Sequence, residues 1–264
     1  MAKTQKELAF LLDLSVSGEW TQRFADLVDK HLDLSDSDNL LYLNTGTGSH
    51  ALAIHEKFGE KTDIFATCEN EDILSIALDK AAALRSEVDF SMIRFEDDAF
   101  DSVLVDATFV KPADVQHAIE DAVRVARTGA DIGVFLPTAG SFGEIVSLLW
   151  EVLFTEGLGE HGAAAEKIIT DIPTVSRIEE IAALAGLVNV KTHTAIESFE
   201  YENGAEFIAS PLVADLLLPS WLDMLDEKEK EQIPEKLAQL IDAEDAALSF
   251  RFTVKATLLT GEKE

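Results

Sequence analysis

The chain has 264 residues, of which 47% are hydrophobic, so it is long enough for one or two domains with a substantial core. It carries 50 acidic and 21 basic residues, which gives a net charge of −29. Because such a charge repels phosphate backbones and anionic lipid headgroups, we expect neither a nucleic acid nor a membrane as partner. The acidic residues are most simply a solvated surface, and a basic protein partner is the alternative.

Cys68 is the single cysteine, which excludes an intrachain disulfide and a multi-cysteine metal site and fits a reducing compartment. The start MAKTQKELAF has no apolar core followed by a small-residue cleavage site, so no signal peptide is predicted. The longest strongly apolar stretch, residues 145–154, is too short to span a bilayer and contains Glu151. We therefore expect a soluble, cytoplasmic protein.

The first two thirds of the chain are predicted to alternate between strands and helices after an N-terminal helical stretch at residues 5–35. The predicted strands are 39–44, 63–68, 88–93, 100–107 and 131–137, and the predicted helices between and after them are 49–59, 71–85, 114–127 and 141–155. Such alternation indicates an α/β fold with a doubly wound parallel sheet and helices on both faces. Ligands of these sheets bind at the carboxyl ends of the strands, near the point where the strand order reverses.

The remaining third changes in character. Ser176 and Glu179 have capping-box spacing at the start of a helix, and residues 190–204 are predicted to form a long strand that ends in an Asn-Gly turn. Residues 205–248 are predicted to be mostly helical and to cap a pocket, before a final strand at 248–261. We expect three parts: an N-terminal helical segment at 1–38, an α/β domain formed by 39–204 and 249–264, and a helical cap at 205–248.

The most informative stretch is LLYLNTGTGSHALAI, residues 40–54. An apolar strand pattern ends in a turn that contains Gly46 and Gly48, and a helical pattern follows at once. Glycines lack the Cβ atoms that would block a ligand, and the first turn of a helix offers free backbone N–H groups. The pattern therefore indicates a pocket for a nucleotide-like ligand at the end of the first strand.

With the order of the elements around it, this stretch resembles the first motif of the class I S-adenosylmethionine-dependent methyltransferases. TCENEDILSIALDKA resembles the end of that family's second strand and the next helix, and RFEDDAFDSVLVDA resembles the approach to its fourth strand. The resemblance extends over about residues 38–262. It implies a Rossmann-like, mostly parallel sheet of seven strands, a helical cap between the last two strands, and S-adenosylmethionine as cofactor.

The first motif carries over only in part. In the family, an acid and several glycines after the first strand hold the methionine end of the cofactor. This chain has Asn44 in place of the acid, keeps Gly46 and Gly48 on either side of Thr47, and has His50 at the third glycine. Asparagine brings no negative charge, and an imidazole is expected to crowd the place where the ligand approaches.

The other anchors are also altered. The family holds the cofactor's ribose with an acid at the end of the second strand, where the best register places Cys68; Glu69 is next to it and needs a local irregularity to take the role. The family's adenine-facing acid has no clear counterpart after the third strand. Asp106 ends the fourth strand and either orients a substrate or caps a loop. The candidate cofactor-binding residues are Asn44, Gly46, Thr47, Gly48, His50, Cys68, Glu69 and Asp106.

Other chemistries have little support in the sequence. The six histidines have no metal-ligand spacing with one another or with cysteine, so no metal site is predicted. A G-x-S-x-G elbow is absent, and GTGSH lacks the lysine of a P-loop. Cys68 has no basic neighbour in sequence and is expected to be a core residue rather than a nucleophile. No catalytic residue is predicted, and Phe199, Tyr201 and Trp221 either line a substrate pocket or pack in the core.

Two functions remain open. The altered anchors favour a pseudoenzyme, a non-catalytic methyltransferase-fold protein that binds a protein partner or a different small ligand. The order of the elements, the two glycines and the cap favour an active methyltransferase for a small molecule, because methyl transfer needs little beyond positioning and desolvation. A homodimer is compatible with either function.

Overall fold

The computed structural model describes residues 3–59, 61–244 and 249–264. Residues 1–2, at the start of the predicted N-terminal segment, residue 60, and residues 245–248, at the end of the predicted cap and the start of the predicted last strand, lie outside the described residues. The chain divides into two compact units: one comprises Met1–Leu136, Thr174–Ala195 and Ala256–Glu264, and the other comprises Pro137–Pro173 and Ile196–Lys255. The predicted division into segment, α/β domain and cap remains a prediction.

The N-terminal segment (Gln5–His31) is continuously helical. It consists of α1 (Gln5–Leu11), a π-helical stretch (Leu12–Thr21) and α2 (Gln22–His31). Thr4 begins it with a capping box, in which the Glu7 N–H donates to Thr4 Oγ1 at 3.2 Å and the Thr4 N–H donates to Glu7 Oε2 at 2.8 Å. π-Helical turns are rare and often occur at functional sites.

Seven strands form one sheet in the order β3-β2-β1-β4-β5-β7-β6. They are β1 (Asn39–Leu43), β2 (Asp63–Thr67), β3 (Asp89–Ser91), β4 (Phe100–Asp106), β5 (Ala126–Thr138), β6 (Leu187–Tyr201) and β7 (Phe250–Lys263). The neighbouring pairs from β3 through β5 are parallel. The predicted doubly wound sheet of seven strands is confirmed. Since the chain builds outward from β1 to β3 and then returns to β4, the strand order reverses between β1 and β4.

Helices connect the strands as the sequence periodicity indicates. They are α3 (Ser49–Phe58), α4 (Glu71–Leu84), α5 (Val115–Val125), α6 (Gly143–Thr155), α7 (Gly162–Thr170), α8 (Val175–Leu184), α9 (Gly204–Ala209), α10 (Leu218–Trp221) and α11 (Glu227–Glu244). The last three helices and a π-helical stretch at Leu212–Leu217 lie between β6 and β7 in the chain.

Two local expectations are wrong. Thr174, not Ser176, caps α8: its backbone is extended and its hydroxyl accepts the Arg177 N–H at 3.1 Å. Asn203 does not end β6 in a hairpin turn; its side chain accepts the Glu206 N–H at 2.9 Å and begins α9. Asparagine suits turns and helix caps equally, and Asn203 serves as a cap because a helix follows.

The core of the first unit lies between the central strands and the helices α5 and α8. Most of its members are aliphatic and buried, as expected for parallel strands covered by helices. They include Val103, Val105, Ile119, Ile132, Val134 and Ile178. Their packing holds in place the strands at whose ends the site lies.

In the second unit, aromatic residues form the packing. Phe199 stacks on Phe252 with 5.0 Å between ring centroids, and Trp221 lies edge-on to Phe142 at 5.4 Å. Phe199, Tyr201 and Trp221 are all buried. Of their two predicted roles, core packing is the one observed. Across the described ranges, no helix is both long and apolar enough to cross a membrane.

Candidate functional site

Three strand ends meet where the strand order reverses. The register pairs Leu43 with Val105, so Asn44, which follows β1, lies at the level of Asp106, the last residue of β4. Asn44 Nδ2 donates to the backbone oxygen of Asp106 at 3.3 Å, and the Asn44 N–H donates to Thr67 Oγ1 at 3.1 Å. These bonds connect the end of β1 to the ends of β4 and β2.

The turn after β1 uses a left-handed backbone at three positions. Asn44 has a φ of 58°, Gly46 of 55° and Gly48 of 78°. A Cβ on Gly48 would lie 2.5 Å from the ring of Phe90, whereas a Cβ on Gly46 would meet only Leu12, at 3.7 Å. Gly48 therefore allows Phe90 to pack against the turn, whereas a side chain at Gly46 would make only an ordinary contact with Leu12.

A cavity of about 220 Å³ lies beside this turn. The N-terminal segment, the turn after β1 and the loops after β2 and β4 each contribute to its wall. Small-molecule sites usually enclose about 300–1,000 Å³, so the cavity accommodates part of a nucleotide-sized ligand. Its lining residues are Leu12, Ser17, Thr21, Asn44, Thr45, Gly46, Glu69, Asp106, Phe109 and Val110.

The N-terminal segment is fastened to the glycine turn by a polar network. Asp13 Oδ1 accepts the hydroxyl of Thr47 at 2.7 Å and the ammonium of Lys80 at 2.5 Å. Lys80 also donates to Ser49 Oγ at 2.6 Å. The Thr47 hydroxyl is thus committed to the segment rather than to the cavity. Nearby, Trp20 is fully buried and stacks on Phe109 with 5.5 Å between ring centroids.

Two carboxyl groups reach the cavity. Asp106 is 8% exposed, and its Oδ1 accepts the N–H of Thr108 at 2.8 Å and its hydroxyl at 2.6 Å. Burial raises the pKa of Asp106 to about 7, against the opposing effect of these hydrogen bonds. Glu69 keeps exposed surface at the rim, yet enclosure of its carboxyl also raises its pKa.

His50 and Cys68 are buried outside the cavity wall. His50 Nδ1 lies 2.9 Å from the hydroxyl of Tyr42, and its Nε2 lies 3.8 Å from Asp29, too far for a hydrogen bond. Cys68 Sγ lies 3.8 Å from Thr45 Oγ1, and burial raises the pKa of the thiol to about 11. A protonated, buried thiol is a poor nucleophile at neutral pH.

Of the eight candidate residues, four lie on the cavity wall: Asn44, Gly46, Glu69 and Asp106. The other four, Thr47, Gly48, His50 and Cys68, face neighbouring elements instead. Among the lining residues, Ser17, Thr21, Phe109 and Val110 were not singled out from the sequence. Within the described part of the chain, no group of three or more histidine, cysteine, aspartate or glutamate residues could hold a metal ion.

An open α/β sheet with a glycine turn after its first strand and an acid beyond its second is the arrangement of the class I S-adenosylmethionine-dependent methyltransferases. The ubiE/COQ5 methyltransferase family matches residues 7–195, and the chain belongs to this family. No curated protein sequence matches the chain.

Solved structures agree on the fold. The YcgJ protein from Bacillus subtilis is 14% identical with a TM-score of 0.58, over 92% of this chain and 99% of that one. Phosphoethanolamine N-methyltransferase 2 from Haemonchus contortus, in complex with S-adenosyl-L-methionine, is 13% identical with a TM-score of 0.56, over 98% of this chain and 57% of that one.

Proposed function

We propose that the protein is an S-adenosylmethionine-dependent methyltransferase that acts on a small molecule. The observation that carries the proposal is the cavity where the strand order reverses, which has Gly46, Glu69 and Asp106 on its wall and leaves His50 outside. Membership of the ubiE/COQ5 methyltransferase family and the cofactor bound to the Haemonchus contortus enzyme support it.

The cavity residues fit such a cofactor. Gly46 presents backbone without a side chain, so the methionine end can approach the turn closely. Glu69, at the rim, would accept hydrogen bonds from the ribose hydroxyls. When bound, the cofactor supplies an electrophilic methyl group on a sulfonium. The apolar side chains of Leu12, Phe109 and Val110 would exclude water from the acceptor and hold it in line.

Calorimetric titration with S-adenosylmethionine and S-adenosylhomocysteine tests the proposal. We expect micromolar binding to the wild-type protein. Glu69→Gln should weaken both ligands by roughly 10-fold, about 1.4 kcal/mol, because a charge-assisted acceptor is lost. Glu71→Gln is the matched control, since Glu71 lies two residues further on in the first turn of α4, outside the cavity wall. No binding at millimolar ligand would overturn the proposal.

A non-catalytic function is the second candidate. It is favoured by the volume of about 220 Å³, which is below the usual range for a complete ligand site, and by the uncharged Asn44 at the end of β1. In this case the fold would bind a protein partner or a smaller ligand. A cytoplasmic location and a homodimer remain predictions under either function.

A further inference from the structure

The polar wall of the cavity carries charge of one sign only. Glu69 and Asp106 are acidic, and no basic side chain belongs to the lining within the described ranges. The remaining polar lining is neutral, and Leu12, Phe109 and Val110 are apolar. A ligand without a positively charged group would leave the buried Asp106 carboxyl without a counter-charge.

One carboxylate oxygen of Asp106 has no hydrogen-bond donor. The N–H and the hydroxyl of Thr108 both donate to Oδ1, and the described residues supply no hydrogen-bond donor to Oδ2. The side chain is more than nine-tenths buried and belongs to the cavity lining. Oδ2 can therefore accept a proton donor, or face a positive charge, from a ligand in the cavity.

The neighbour of Asp106 is neutral. Asn44 directly follows β1 at the level of Asp106, and its amide donates to the backbone oxygen of Asp106 rather than to the carboxylate. The end of β1 therefore contributes an amide to the cavity, and the end of β4 contributes the negative charge.

We propose that the cavity selects a cationic ligand and that Asp106, rather than the residue at the end of β1, provides its counter-charge. This inference rests on the proposed function, in which the cation is the ammonium or sulfonium of S-adenosylmethionine. The ligand would place its positive charge against Oδ2, the oxygen to which the described residues donate no hydrogen bond. The positive charge would then keep Asp106 ionised in the complex.

The titration of Asp106 supports the same arrangement. Its pKa of about 7 in the free protein means that part of the population is protonated at neutral pH. Glu69 and Tyr42 are the other titratable groups that act on it, and the pKa of Tyr42 is raised so far by burial that the phenol stays neutral. Because a cation binds the ionised form, affinity should rise as pH increases from about 6 to 8, with proton release below pH 7.

The test compares three ligands on three proteins: the wild type, Asp106→Asn and Asp114→Asn. S-adenosylmethionine and S-adenosylhomocysteine carry an ammonium group, and 5′-methylthioadenosine carries neither ammonium nor sulfonium. Asp106→Asn keeps Oδ1 as the acceptor for Thr108 but removes the charge. We expect it to weaken the two ligands that carry an ammonium group by roughly 10- to 100-fold, to change 5′-methylthioadenosine less than about twofold, and to abolish the rise of affinity with pH.

Asp114→Asn is the control for net charge, because Asp114 is exposed and outside the cavity lining. Thermal unfolding of each variant shows whether it is folded. Equal losses for all three ligands would overturn the inference and leave the proposed function standing. Failure of all three to bind the wild type would overturn both.

Discussion

Gly46 and Gly48 occupy the same turn, but a side chain added at each would contact a different neighbour. Gly48→Ala combines a left-handed backbone at 78° with a Cβ placed 2.5 Å from the Phe90 ring. We expect it to lower the free energy of unfolding by about 2–4 kcal/mol, from backbone strain and overpacking together. Gly46→Ala meets only Leu12, at 3.7 Å, and should cost the backbone term of about 1–2 kcal/mol.

Urea unfolding of the two variants measures this difference. Adding Phe90→Ala to Gly48→Ala should cost less than the two single changes together, since the smaller side chain removes the overlap. Equal losses of unfolding free energy for Gly46→Ala and Gly48→Ala, with additive effects in the double variant, would contradict this prediction. They would show that backbone strain alone destabilises both variants.

The directions of single side chains could not be predicted from the sequence. His50 stands at a position that the family fills with glycine, so its imidazole was expected to crowd the ligand. In the structure it turns toward Tyr42 and is buried there. Glu69 needed an irregular strand end to reach the site, and it reaches the rim because β2 ends at Thr67. Sequence position identified the turn, but the side-chain direction depended on packing that no local pattern encodes.

At the scale of elements, the N-terminal segment is held over the cavity by Asp13 and Lys80. The pair is partly buried, 2.5 Å apart, and shares Thr47 of the glycine turn. Lys80→Met should remove about 1–3 kcal/mol of local stability, because Asp13 loses its charged partner. Faster amide hydrogen exchange in Leu12–Thr21 is the expected result, with little change in β4.

Lys57→Met is the matched control for this change. Lys57 lies on α3, and its ammonium lies 4.8 Å from the centre of the Phe58 ring; its charge acts on Asp29 in α2 and not on Asp13. The control should leave exchange in Leu12–Thr21 unchanged. Unchanged exchange in Lys80→Met itself would mean that apolar packing, not the ion pair, holds the segment in place.

Strands and helices were predictable because hydrophobic periodicity is local, and the order of the α/β units followed from it. That the N-terminal segment forms part of the cavity wall could not be predicted in this way. Its π-helical stretch departs from the 3.6-residue period of an α-helix. An α-helical projection therefore does not place Ser17 and Thr21 on the same face as Leu12, although all three line the cavity. The strand order that brings Asn44 beside Asp106 is likewise a property of the sheet.

At the scale of the whole molecule, the net charge of −29 makes the main long-range electrostatic contribution to stability. Like charges destabilise the compact state, and salt screens them: the Debye length falls from about 30 Å at 0.01 M to about 3 Å at 1 M. We therefore expect the melting temperature to rise by several degrees from 0.01 to 1 M NaCl, measured by calorimetry at pH 8. KCl should act equally, since screening depends on ionic strength and not on the cation. A melting temperature that stays constant or falls would show that ion pairs such as Arg124 with Asp97 outweigh the repulsion.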